Sequence, residues 1–147
     1  MIHFKIAEIS HLEIIIKMMQ SFYAIDNYFF DGEIAAKLIQ EFVNNENLGK
    51  CWVILKDKKT IGYVILTFVF SFEYKGRIAF LDELYIKEEF RGKGIGKTAI
   101  QFIQEQANEL SLKLIYLEIE NHNQNAQKLY LSQNFEYHNR KIMKFKV

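Results

Sequence analysis

The sequence has no proline and a single cysteine, Cys51, among 147 residues. One cysteine excludes an internal disulfide framework and a cysteine-rich zinc site. Without proline or a Ser/Gly-rich stretch there is no sign of a linker, so one domain over residues 1–147 is expected. An excess of one charge is also missing: 19 Lys and Arg face 18 Asp and Glu, for a net charge of +1. That balance argues against nucleic acid as a partner. No apolar run reaches the about 20 residues of a membrane span. The first residues, Met1-Ile2-His3-Phe4-Lys5, lead into polar sequence rather than the apolar stretch of a secretion signal. A cytoplasmic protein with no membrane partner is the expectation. His3, His11, His122 and His138 show no metal-ligand spacing, so no metal is expected.

What is present is apolar. Hydrophobic residues make up 50% of the chain, with 13 Phe and 8 Tyr, which is ample for one core and excludes intrinsic disorder. The pattern predicts a strand at 2–7, then a helix opened by a capping box at Ser10–Glu13, with Leu12, Ile15, Ile16 and Met19 on its buried face. A second helix starts near Asp31 and carries Ile34, Leu38, Phe42 and Val43 inward. Strands follow at 51–55, 61–70 and 77–86, joined by turns at 57–59 and 73–76. A helix over 94–110, a strand over 112–119, a short helix over 124–132 and two last strands at 135–138 and 141–146 complete the reading. Several antiparallel strands followed by one strand–helix–strand crossover make an α+β, mixed-sheet layout.

The most informative stretch is Arg91-Gly92-Lys93-Gly94-Ile95-Gly96-Lys97, between a strand and a helix. Glycines let backbone approach a ligand, and a helix N-terminus offers unpaired N–H groups, so with three cations the segment suits phosphate. A P-loop would need a glycine where Arg91 stands. A dinucleotide fingerprint fits Gly94 to Ala99, with Glu118 or Glu120 as the ribose ligand, but too little chain follows for repeated βαβ units.

A third reading fits best. Arg91, Gly94 and Gly96, placed after Leu84-Tyr85-Ile86 and opening an amphipathic helix, resemble the acetyl-CoA signature of the GNAT superfamily of N-acetyltransferases. Leu117-Glu118-Ile119, then Asn123, Ala126, Leu129 and Tyr130, then Asn134-Phe135, resemble the superfamily's downstream motif. Asn134 replaces a usual glycine, a change that the left-handed tolerance of Asn accommodates.

The resemblance implies a GNAT-type fold: a mixed, mostly antiparallel sheet flanked by about four helices, with the strands at 81–86 and 114–119 splayed. It implies acetyl-CoA as cosubstrate, its pyrophosphate held by Arg91, Gly92, Lys93, Gly94, Ile95, Gly96 and Lys97. Leu84 would contact the acetyl oxygen, Ile86 would pair with the pantetheine amide, and Tyr85 between them would also bind the cofactor. Asn123 would cap the helix at 124–132 and contact the cofactor arm, and Ala126 would keep the approach to it narrow. Tyr130 would be the acid toward the leaving sulphur. Asp82, Glu83 and Glu118 are the candidates for the base; strand alternation alone does not choose, because a bulge would swap the faces. Phe22, Tyr23, Asp26, Tyr28 and Phe29 lie where relatives bind the acceptor, and aromatic walls with carboxylates suit a cationic amine. The expected function is acetyl transfer to a primary amine of a small molecule or peptide. An acyl-CoA-binding sensor on the same fold is the alternative. Oligomeric state, a homodimer included, is left open.

Overall fold

The computed structural model describes residues 1–147. Its centre is a five-stranded sheet in the order β1-β2-β3-β4-β5, formed by β1 (Ile2–Ile6), β2 (Gly49–Lys56), β3 (Lys59–Ser71), β4 (Gly76–Ile86) and β5 (Ile115–Tyr116). The first four strands are antiparallel neighbours and β5 runs parallel to β4. Four helices accompany them: α1 (Leu12–Ile25), α2 (Gly32–Val43), α3 (Ile95–Glu109) and α4 (Gln124–Ser132). This is the mixed, four-helix architecture that the sequence predicts.

Helices cover both faces of the central strands. Residues 51–54 and 61–66 are therefore buried almost without interruption instead of alternating. On one face Ile15, Met18 and Met19 of α1 and Ile39 of α2 pack on Val53, Tyr63, Ile65 and Tyr85. On the other, Ile103 of α3 meets Trp52, Val64, Leu66, Ala79 and Leu81. Between β2 and β3, Asp57 and Lys58 both take positive φ (49° and 67°). That is the twist that a two-residue hairpin needs.

Four sequence expectations are corrected. Ser10 caps nothing: it lies in a single 3-10 turn, Ile9–His11, where the Glu8 N–H donates to His11 Nδ1 at 2.9 Å and α1 starts at Leu12. The reciprocal spacing works two residues earlier, from Glu8. On α2, Ile34 and Leu38 point outward, 55% and 58% exposed, and only Ile39 is fully buried. The strand expected over 112–119 is two residues long, because its partner β4 turns away from it after Phe80. The strands expected at 135–138 and 141–146 do not form. Apolar side chains there, such as Met143 and Phe145, are exposed and find no face to bury against; the segment is held through side chains, notably Arg140 donating to both Glu73 oxygens at 2.9 and 2.8 Å.

Candidate functional site

β4 and β5 are paired only at Ala79–Ile115 and Phe80–Tyr116. Beyond that point the strands part, as the family resemblance implies. The parting opens a cleft of ≈ 480 Å³. β4 contributes Asp82, Glu83 and Leu84 to its lining, the segment after β5 contributes Glu118, and α4 with its cap contributes Asn123, Ala126 and Tyr130. From α1 and the loop after it come Phe22, Tyr23, Asp26 and Tyr28. Residues chosen from three separate stretches of sequence thus meet in one place. Phe29 does not join them; it lines a second cavity between α1, α2 and the sheet. The Tyr85 side chain is also elsewhere, buried in the core beside Tyr63 and Phe22, so only its backbone can face a ligand.

A bulge sets the orientation of the acids. Ile65 pairs with Glu83 and Leu66 with Leu81, which leaves Asp82 as the extra residue of β4. The side-chain order flips there. Leu81 packs on the α3 face, whereas Glu83 and Tyr85 lie on the face of α1 and α2.

Glu83 is tied down. It accepts from the Tyr23 hydroxyl at 2.8 Å and from the Tyr63 hydroxyl at 2.6 Å. Desolvation nevertheless dominates and holds its carboxyl above the usual range, the two hydroxyls opposing that shift and the charge of Asp82 adding to it. Asp82 is raised as well, by desolvation first and then by the charge of Glu118. Tyr63 is a partner of the cleft acid Glu83 that the sequence alone does not point to. It stands 20 positions before Glu83, and only the β3–β4 pairing brings the two together.

Tyr130 is partly buried, between the cleft and the ring of Phe135. Burial pushes its phenol up to about 12. Asn123 accepts from the Ala126 N–H at 3.1 Å and so caps α4. At the mouth, the Tyr28 hydroxyl donates to Glu120, and His122 Nε2 lies 3.1 Å from Asp26 Oδ1. These contacts tie the loop after α1 to the segment after β5.

Past the end of β4, the glycine loop runs into α3. Gly92 and Gly94 have φ of 72° and 78°, the left-handed region that glycine enters without strain, and the space beside each is open. The first helical bond of α3 runs from the Thr98 N–H to the Gly94 carbonyl at 3.1 Å. The N–H groups of Ile95, Gly96 and Lys97 therefore have no helical acceptor. Arg91 is held by its Nε–H on the Ile86 carbonyl (2.8 Å) and over the Tyr85 ring, with its remaining donors free to turn to an anion. Such a loop fits a pyrophosphate. Gly96 serves packing instead. A Cβ there would stand 3.2 Å from Leu129 Cδ2, so the glycine permits close approach of α3 to α4.

A sequence model of the acetyltransferase (GNAT) family matches residues 16–135. The chain belongs to that family. The thialysine N-ε-acetyltransferase of Bos taurus is 34% identical over 70 residues, which are 48% of this chain and 41% of that protein. The chain thus matches less than half the length of that curated relative. Among solved structures, a possible acetyltransferase from Clostridium difficile 630 superposes with a TM-score of 0.90 at 21% identity, covering 99% of this chain and 97% of its own. An aminoglycoside N-acetyltransferase in complex with CoA superposes at 0.83 with 15% identity, over 99% and 95% of the two chains. At these identities the two structures speak for the fold. Asn134, where the family usually has glycine, is left-handed with φ of 68° and closes α4 as a glycine would.

Proposed function

We propose that the protein transfers the acetyl group of acetyl-CoA to a primary amine by direct attack on the thioester. One observation carries the reading: the parting of β4 from β5 gathers Asp82, Glu118, Asn123 and Tyr130 around one cleft, next to a glycine loop fit for pyrophosphate. The CoA complex of a neighbour with this fold and the thialysine relative, whose name gives a small amine as its acceptor, agree with it.

Gly92, Gly94 and the free N–H groups of 95–97 bind the pyrophosphate, with Arg91 adding charge. Leu84, on the edge of β4 that β5 has left, contacts the acetyl oxygen. Bound acetyl-CoA supplies an acetyl thioester whose C–S bond breaks as the N–C bond forms, the electron pair leaving on sulphur. Asp82 takes the proton that the amine sheds. It suits that role better than Glu83 because no protein donor occupies its carboxylate, whereas two tyrosine hydroxyls occupy that of Glu83. Glu118 adds negative charge that attracts the ammonium and keeps Asp82 basic. Tyr130, with a phenol near 12, does not hand its proton outright to a thiolate whose conjugate thiol titrates near about 8.5. It stabilises the departing sulphur by donating a hydrogen bond.

The test is a thiol-release assay with acetyl-CoA over amine classes, paired with mass analysis of the acceptor. Thiol release matched by acetylated amine is expected. Tight acetyl-CoA binding with no turnover on any amine overturns the reading.

A further inference from the structure

The second cavity, ≈ 380 Å³ between α1, α2 and the sheet, has no part in holding acetyl-CoA in the reading above. Its size falls in the range of small-ligand pockets, about 300–1,000 Å³. It shares Tyr23, Asp82 and Glu83 with the cleft, so the two spaces meet at the acids. Thirteen of its seventeen lining residues are hydrophobic. No lysine or arginine lines either cavity.

We propose that this cavity takes the body of the acceptor, and that the acceptor is a small primary amine bearing one sizeable apolar group, aralkyl or branched alkyl. The proposal rests on the acetyltransferase reading and narrows it. The ammonium sits where the cavities meet, beside Asp82 and Glu83, and the apolar group extends between α1 and α2 toward Phe29, Ile34 and Leu38.

Within the cavity, charge disfavours the second ammonium of a polycation. Apart from the two acids at the junction, the charged lining is Asp31 alone, and its carboxylate already accepts the Glu33 and Ile34 N–H groups at 3.0 and 3.1 Å as the cap of α2. A second ammonium reaching into the cavity would lie among Ile39, Phe42 and Ile65, and desolvation among those apolar side chains makes that unfavourable. Its one counter-charge away from the junction would be Asp31, whose Oδ1 caps α2. An apolar group there is favoured for the converse reason. Phe29, Ile34 and Leu38 line the cavity while 88%, 55% and 58% exposed, so an apolar group lying there would take part of that surface out of water.

The experiment compares kcat/KM for phenethylamine and isoamylamine with those for ethanolamine, spermidine and a peptide with a free N-terminal Phe, and measures acetyl-CoA and amine binding separately by calorimetry. The apolar monoamines are expected to exceed ethanolamine and spermidine by about tenfold or more. Leu38→Glu, at a position 58% exposed and away from the glycine loop, should remove that advantage and leave acetyl-CoA affinity unchanged. Preference for spermidine or for the peptide overturns the proposal while acetyl transfer stands. Binding of phenethylamine that Leu38→Glu abolishes, with no thiol released, upholds the pocket and overturns the acetyltransferase reading. No binding of either apolar amine overturns the pocket whatever the turnover.

Discussion

The Tyr63 hydroxyl donates to the Glu83 carboxylate at 2.6 Å, from a side chain with no exposed surface. With Tyr23 on the other oxygen at 2.8 Å, the carboxylate has a fixed direction at the junction of the two cavities. Two neutral donors do not offset its desolvation, and the carboxyl stays above its usual range. The arrangement favours a defined position over a low pKa.

That imbalance makes stability depend on pH with a definite sign. Because folding raises the Glu83 pKa, its stabilising contribution is complete below the unfolded value of about 4.3 and is lost as pH rises through the folded value. Glu83→Gln removes this titration while keeping an acceptor for a tyrosine hydroxyl. Urea unfolding at pH 4 and pH 8 should show the variant gaining on the wild type at pH 8. A variant that instead falls further behind at pH 8 would mean that the tyrosines outweigh desolvation.

Asp82→Asn separates a base from a mere counter-charge. In the wild type, kcat/KM should rise with pH along a limb that lies above the usual aspartate value, about 3.9, since desolvation and Glu118 raise it. The variant should lose that limb and show a lower kcat. An unchanged kcat with a raised KM for the amine would leave Asp82 only the role of attracting the ammonium.

Tyr130→Phe keeps the ring against Phe135 and removes the hydroxyl. Full general-acid proton transfer contributes about 10²–10⁴-fold, and a phenol near 12 that only donates a hydrogen bond to the sulphur contributes no more than the lower end of that range. A fall in kcat of about 10²-fold with little change in acetyl-CoA affinity is expected. Steady-state kinetics within about twofold of the wild type would remove Tyr130 from the chemistry.

Gly94→Val and Gly96→Val should fail differently. At Gly94 the left-handed backbone costs a side chain about 1–2 kcal/mol, more when β-branched. Leaving that conformation should weaken acetyl-CoA binding by about tenfold or more, with the melting temperature lowered by only a few degrees. At Gly96 the new side chain meets Leu129 Cδ2 at 3.2 Å or closer, so Leu129 must give way within the α3–α4 contact and the melting temperature should drop further than for Gly94→Val. Calorimetry and thermal denaturation on both variants read the contrast; identical behaviour would mean that the loop and the helix contact are not separate.

The glycine loop, the Asn123 cap, the left-handed Asn134 and the helical and strand periodicity of the central elements are legible in the sequence, because each depends on a few neighbouring residues. The sequence also singles out Asp82, Glu83 and Glu118, which stand beside local motifs and which line the cleft. Which way they point depends on strand pairing. The bulge at Asp82 exists because β3 and β4 pair out of step between Ile65 and Leu66, a property of two strands and not of either one. The Tyr63 contact, the outward turn of Ile34 and Leu38, and the shortness of β5 have the same origin. Each depends on what stands opposite, and helical or strand periodicity names the face of an element without naming its partner.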